Sequence, residues 1–128
     1  PDQLPEFMPK LDAILAKYPD FVYTIAGHAG DANFHIIPLV DVSEEKHRQQ
    51  IITMSDEVFR LVKEYNGSMA GEHNDGLVRG TFLPYMFGAR IFELFKRTKQ
   101  IFDPLNIFNP HKKTEADLEF YAEHIRHS

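Results

Sequence analysis

The residues best suited to chemistry in this chain are its seven histidines, because cysteine is absent. Without cysteine there is no disulfide, thiolate zinc site or thiol nucleophile in this sequence, which leaves imidazole and carboxylate groups as the natural candidates for metal or acid–base chemistry. Three segments differ from ordinary connecting loops: GHAGDANFH at residues 27–35, GEHNDG at residues 71–76 and DPLNIFNPHK at residues 103–112. The candidates for a functional site come from these segments.

His28 and His35 are predicted to share one face of a β-hairpin, provided that the loop between the strands has four residues. In that register His28 pairs with Asn33, and Ala26 pairs with His35. Diagonal neighbours on one face have Cα atoms about 7–8 Å apart, within reach of two imidazoles that bind one ion. A three-residue loop would place the two side chains on opposite faces. The metal hypothesis therefore depends on the register of the hairpin.

Glu72 is the best candidate for a third ligand, because an open zinc site is typically formed by two histidines and one carboxylate. It lies between two glycines, in a segment too polar for a core and too rich in glycine for a helix. The adjacent His73 is a candidate general base, since a nearby cation lowers the proton affinity of an imidazole. The alternative is that the hairpin histidines are hydrogen-bonded turn residues and that His73 is a polar loop residue.

The other histidines and the aromatic residues of the second half have simpler expected roles. Four histidines are expected at the surface: His47, His111, His124 and His127. Four phenylalanines at helical spacing are expected to form core or a domain-contact surface: Phe87, Phe92, Phe95 and Phe102.

The hydrophobic periodicity predicts an α+β fold, with a small antiparallel sheet covered by helices. A first helix is expected at about residues 9–18, because proline at position 9 suits the start of a helix and proline at position 19 ends it. Short β-branched and aromatic runs predict strands at residues 21–25 and 34–37. Asp41 and Ser43 are both plausible caps for the next helix, which has its apolar face at residues 51–65 and ends at Asn66-Gly67. Further helices are predicted at about residues 87–102, ended by Asp103-Pro104, and 115–125.

Length and charge limit the class of protein. The 128 residues suit one domain, and the formal net charge of −5 has the wrong sign for a nucleic-acid or anionic-membrane surface. The apolar runs are too short for a transmembrane helix, which needs about 20 residues. No export signal opens the sequence, so a cytoplasmic setting is expected. Because the chain begins with Pro1, we expect a piece of a longer polypeptide.

Taken in order, the three segments resemble the C-terminal part of the FAD-linked oxidases of the vanillyl-alcohol oxidase superfamily. The family pattern is G-H-x-G-D-x-N-x-H, then G-E-H-G-x-G, and after a helix D-P-x-x-x-x-N-P-x-K. The matching branch includes D-lactate dehydrogenase, D-2-hydroxyglutarate dehydrogenase and the flavin subunit of glycolate oxidase. Asn74 and His111 stand where the pattern usually has glycine. The resemblance runs from Gly27 to Lys112 and so covers most of the chain.

The resemblance implies roles for individual residues. Three match the metal ligands of the family: His28, His35 and Glu72. His73 matches the base that takes the proton of the substrate's 2-hydroxyl while a hydride passes to the flavin, and Asn33 and Asn109 match residues that face the flavin. The implied cofactors are FAD and a divalent metal, zinc or manganese, and the implied substrate is a small D-2-hydroxy acid similar to D-lactate.

The resemblance also implies a missing part. The FAD-binding domain of the family precedes this region, and no glycine-rich pyrophosphate loop occurs in the sequence. We therefore expect residues 1–128 to be a single cap domain of ferredoxin-like type, inactive alone, with an apolar surface for the missing domain that also favours homo-oligomers. Two alternatives stay open. One is a metal-dependent hydrolase that uses the same three ligands, and the other is a non-catalytic module that binds a partner chain.

Overall fold

The computed structural model describes residues 1–125, so that His127, expected at the surface, lies outside the described residues. The chain divides into two compact units, one formed by Pro1–Gly71 together with Ile125 and the other by Glu72–His124. Within the described residues there are six α-helices and one two-stranded antiparallel sheet, and the predicted α+β class is confirmed. None of these helices has both the length and the apolar character needed to cross a lipid bilayer.

The first helix, α1 (Leu4–Leu15), begins five residues earlier than the sequence predicts. Pro5 occupies its first turn, where the missing N–H costs nothing, but Pro9 lies inside the helix and removes one hydrogen bond of the ladder. Phe7 and Met8 pack against the core of the first unit. Their burial offsets the loss at Pro9, and for this reason the prediction of a start at residue 9 is wrong.

The sheet is a hairpin of β1 (Val22–His28) and β2 (Asn33–Leu39), joined by a short 3-10 turn at Ala29–Asp31. Both strands are longer than predicted, and Phe21 lies just before β1. Helix α2 (Glu45–Glu64) follows, and beyond it Asn66 adopts the left-handed conformation (φ 54°) expected from Asn66-Gly67. The amide of Gly67 donates to the carbonyl of Val62 at 2.9 Å and completes the helix end.

The core of the first unit lies between α1, α2 and one face of the hairpin. Leu11 and Leu15 of α1 are only 1% exposed, and Ile25 and Ile36, which pair across the hairpin, pack against the same cluster. The buried residues of this core are Leu11, Leu15, Tyr18, Phe21, Met54, Val58 and Leu61.

The second unit contains α3 (Leu77–Gly80), α4 (Leu83–Phe87), α5 (Ala89–Phe102), a 3-10 turn at Lys113–Glu115 and α6 (Leu118–Glu123). The predicted helix at residues 87–102 is interrupted, because Gly88 has a φ of 79° and separates α4 from α5. Helix α5 ends before Asp103-Pro104 as predicted, but it has no buried residue, and Phe102 is 80% exposed. The aromatic residues of α5 are therefore not core among the described residues, and a domain-contact role for them stays a prediction.

Candidate functional site

The hairpin has the register that a four-residue loop predicts. His28 pairs with Asn33 and Ala26 pairs with His35, so His28 and His35 are diagonal neighbours on one face of the sheet. This is the face opposite Ile25 and the core of the first unit, because side chains alternate along a strand. His28 is exposed and His35 is half-buried.

Gly27 allows the two strands to approach at this end of the hairpin. Its φ is 144°, in the range that favours glycine, and a Cβ atom added to it would lie 2.3 Å from the carbonyl oxygen of Asn33 and 3.0 Å from Cα of Phe34. Both of these atoms belong to the backbone and cannot move aside without breaking the pairing. The residue immediately before His28 is thus restricted to glycine by the geometry that pairs the two strands.

Asn33 is fixed on the same face of the hairpin as the two histidines. A Cβ atom added to Gly71 would lie 2.3 Å from Oδ1 and 2.8 Å from Cγ of Asn33, so the backbone at Gly71 runs directly against this side-chain amide. Both residues belong to the first unit. The next residue along the chain is Glu72, with which the second unit begins.

Glu72 and His73 are exposed at the start of the second unit, with His73 Nε2 3.6 Å from Glu72 Oε1. This contact is an ion pair only when the imidazole is protonated. The proposed ligands are divided between the units, with His28 and His35 in the first and Glu72 in the second.

Asn74 stands where the family pattern has glycine after the histidine, and it adopts the backbone conformation that favours glycine. Its φ is 62°, and its side-chain Oδ1 accepts hydrogen bonds from its neighbour's amide, Asp75 N, at 2.8 Å and from Lys113 Nζ at 3.1 Å. Asparagine tolerates the left-handed region better than most residues do. The backbone after His73 therefore follows a path that suits glycine, held in place by the asparagine side chain.

Lys113 connects the second segment to the third, and sequence reasoning missed it. Its backbone amide donates to the carbonyl of Gly76 at 3.1 Å, in addition to the side-chain contact with Asn74. The close approach at Gly80 supports the same packing, since a Cβ atom there would lie 3.0 Å from the amide nitrogen of Lys113. Nothing in the local sequence indicates this contact, because Lys113 and Asn74 are 39 positions apart.

Asp103 organises the segment that leads to Asn109. Its buried carboxylate accepts hydrogen bonds from the amides of Ile107 (2.8 Å) and Phe108 (2.9 Å) and from the ammonium of Lys99. The hydrogen bond from Lys99, with help from the two amides, holds the pKa of Asp103 below its usual range. Lys99 also donates to the carbonyl of Phe108 at 2.6 Å. Asn109 follows directly, in a left-handed conformation with a φ of 50°.

His111, the second departure from the family pattern, also occupies a glycine-like position, with a φ of 60°. Its ring stacks on Phe120, with centroids 4.2 Å apart, and Phe120 stacks in turn on His124 at 3.8 Å. His111 and His124 are exposed, as predicted. His47 is half-buried, with its Nδ1 atom 2.7 Å from the carbonyl oxygen of Asp41.

Comparison with known proteins identifies a family that matches most of the chain. Residues 1–113 match the family model described as FAD linked oxidases, C-terminal domain. A D-2-hydroxyglutarate dehydrogenase of Stutzerimonas stutzeri (strain A1501) is 35% identical over 113 residues, which are 86% of this chain and 24% of that protein. A D-lactate dehydrogenase of Anaerostipes hadrus is 30% identical over 112 residues, 87% of this chain and 23% of that protein.

A third relative represents the glycolate branch. The glycolate oxidase subunit GlcD of Bacillus subtilis (strain 168) is 31% identical over 107 residues, 84% of this chain and 23% of that protein. The chain thus spans about a quarter of the length of these three relatives. The expected resemblance to FAD-linked oxidases is confirmed.

Proposed function

Because this chain belongs to the family of FAD-linked oxidase C-terminal domains, we propose that it supplies part of the active site of an FAD-dependent D-2-hydroxy-acid dehydrogenase, with a substrate similar to D-lactate. The names of the relatives, D-2-hydroxyglutarate dehydrogenase and D-lactate dehydrogenase, support this class of reaction. The relatives are about four times as long as the matched region, which supports an FAD-binding domain outside residues 1–128. In this proposal the 128 residues are the cap part of the enzyme.

The proposed metal ligands are His28, His35 and Glu72. The observation that supports this assignment is the hairpin register, in which both histidines lie on one face at one end of the sheet, opposite the core. Two neutral imidazoles and one carboxylate are a donor set that suits zinc or manganese and leaves a coordination position open for substrate. The backbone at Gly71, in contact with Asn33 beside these histidines, leads directly to Glu72 and supports its inclusion.

When bound, FAD would accept the hydride from the substrate carbon, and the divalent cation would lower the pKa of the substrate hydroxyl. The imidazole of His73 then accepts the hydroxyl proton, while the carboxylate of Glu72 remains a ligand. Asn33 and Asn109 face the flavin in this proposal. The side chain of Asn33 lies against Gly71, and the hydrogen bonds of Asp103 hold the backbone that leads to Asn109. Both contacts would help to place these residues beside a bound flavin.

Metal binding by the 128-residue chain tests the ligand set without requiring turnover. Calorimetric titration with Zn²⁺ or Mn²⁺ should show one site. His28→Ala and His35→Ala should each lower the metal affinity by about 10- to 100-fold or more, because loss of a residue that only hydrogen-bonds a metal ligand already lowers it by that factor. His124→Ala is the matched control, since it removes an exposed imidazole that is not in the proposed set. Equal binding by all three variants would refute the assignment.

The reaction class is tested in the polypeptide that joins this chain to its FAD-binding domain. Dye-coupled oxidation of D-lactate should fall by about 10²–10⁴-fold in His73→Gln, the range for loss of a general base, with the visible flavin spectrum unchanged. Retained oxidation in this variant would remove His73 from the mechanism. Ester hydrolysis by the flavin-free chain would favour the metal-dependent hydrolase instead. Partner binding that survives His28→Ala, without any oxidation by the flavin-loaded polypeptide, would favour the interaction module.

A further inference from the structure

The second unit contains a cavity whose lining differs in charge from the rest of the chain. Its volume is about 680 Å³, and its walls come from the segment at Asn74–Gly76, from α4 and α5, and from residues 108–114. Three lysines and one aspartate line it, and one of the lysines, Lys99, is paired with Asp103, which leaves a net charge of +1 in a chain whose formal charge is −5. Such a local excess of positive charge attracts anions towards the cavity.

The three lysines differ in the hydrogen bonds and ion pairs that their ammonium groups already make. The ammonium of Lys99 pairs with Asp103 and donates to the carbonyl of Phe108, and Lys113 donates to Asn74. Lys112, by contrast, makes no side-chain hydrogen bond or ion pair with any residue in the described part of the chain. Lys112 is therefore the cation of the cavity whose charge is available for a ligand.

The rest of the lining also has unmet hydrogen-bonding capacity. Asp75 is half-buried, and its Oδ1 atom is buried without a hydrogen-bond partner among the described residues. A buried carboxylate oxygen without a donor costs free energy, so this atom calls for a ligand hydroxyl or N–H, or for an ordered water. Phe87 and Phe95, in edge-to-face contact with centroids 5.4 Å apart, give the cavity an apolar wall.

We propose that this cavity is a binding site for a small oxyanion, a carboxylate or a phosphate group, held by Lys112 with Lys113 as the second cation. Charge-assisted hydrogen bonds to lysine are the strongest polar contacts that such a group can make here. The ammonium of Lys113 can donate to the anion as well as to Asn74, because it carries three N–H donors. The carboxylate of Asp75 favours ligands that also carry a hydroxyl or N–H donor. The cavity shares Asn109 with the proposed flavin-facing residues, but none of the proposed metal ligands lines it.

Titration of the 128-residue chain with inorganic phosphate, pyrophosphate and glutarate, followed by amide chemical shifts at constant ionic strength, tests this site. We expect saturable binding with a Kd of about 1 mM, the strength of two charge-assisted hydrogen bonds. The shifts should be largest at Asn109 and Lys112. Tighter binding of pyrophosphate would indicate a phosphate-bearing ligand, and tighter binding of glutarate a carboxylate ligand.

Matched variants separate a built site from general charge screening. Lys112→Met should weaken binding about tenfold, the effect of losing one charge-assisted hydrogen bond. Lys96→Met loses the same charge in the same unit, from an ammonium that lies over the Phe92 ring at 4.9 Å and does not line the cavity, and it should bind as the wild type does. Asp75→Asn removes the repelling carboxylate and should strengthen binding severalfold. Absence of saturation, or equal weakening in Lys112→Met and Lys96→Met, would overturn the proposal.

Discussion

Replacement of Gly27 by alanine should disrupt the hairpin, although it adds only one methyl group. Two independent costs arise from the structure. A non-glycine residue at a φ of 144° is strained by about 1–3 kcal/mol. The added Cβ would also lie 2.3 Å from the carbonyl oxygen of Asn33, an overpacking that typically costs a further 1–3 kcal/mol, roughly. The free energy of unfolding should therefore fall by about 2–6 kcal/mol, a large share of the roughly 5–15 kcal/mol that stabilises a typical domain.

Gly30→Ala is the matched control, three positions along the same hairpin. No atom lies within 4 Å of a Cβ added there, and Gly30 does not have a positive φ. Its effect should stay within about 1 kcal/mol and can be stabilising, because alanine restricts the unfolded chain more than glycine does. Urea denaturation followed by far-UV circular dichroism measures both variants. If Gly27→Ala were as mild as Gly30→Ala, the backbone clash and the conformational strain would both be refuted.

Two further predictions concern the segment around Asn109. Because its hydrogen bond with Lys99 lowers the pKa of Asp103, the carboxylate stabilises the fold above about pH 4, the ordinary aspartate value, and this contribution is lost as the pH falls through the lowered pKa. Thermal melts from pH 2 to 7 should accordingly show a weaker acid dependence in Asp103→Asn, and an unchanged dependence would contradict the assignment. At His111, glycine should be tolerated better than alanine by about 1 kcal/mol in urea denaturation, because both lose the stacking on Phe120 but only glycine relieves the positive φ. A more stable alanine variant would show that the left-handed backbone carries no strain.

The hairpin was predictable because its determinants are local. The loop length and the alternation of side chains fix which residues pair, and the structure has His28 opposite Asn33 as the four-residue loop requires. The end of α5 at Asp103-Pro104 and the left-handed Asn66 are predictable for the same reason, since each depends on two adjacent residues. By this criterion the sequence contains enough information to place His28 and His35 on one face.

The features that sequence reasoning missed depend on distant contacts. Pro9 lies inside α1 because Phe7 and Met8 pack against the core of the first unit. Residues of α2, far along the chain, form part of that core. The link from Lys113 to Asn74 joins two segments 39 positions apart, and no periodicity indicates it. Local sequence rules describe the average free-energy cost of a proline within a helix. Tertiary packing determines whether that cost is offset in a particular protein.

The two departures from the family pattern are the clearest case of sequence and structure explaining each other. Asn74 and His111 replace glycine at positions where the backbone has a φ of 62° and 60°, so the usual glycine is a requirement of the backbone path and not of the chemistry. In each case the replacing side chain gains contacts that a glycine cannot make, Asn74 with Lys113 and His111 with Phe120. The strain of the left-handed conformation is thereby offset locally. A glycine missing from such a motif is thus weak evidence against the motif when the residue in its place tolerates a positive φ or packs its side chain.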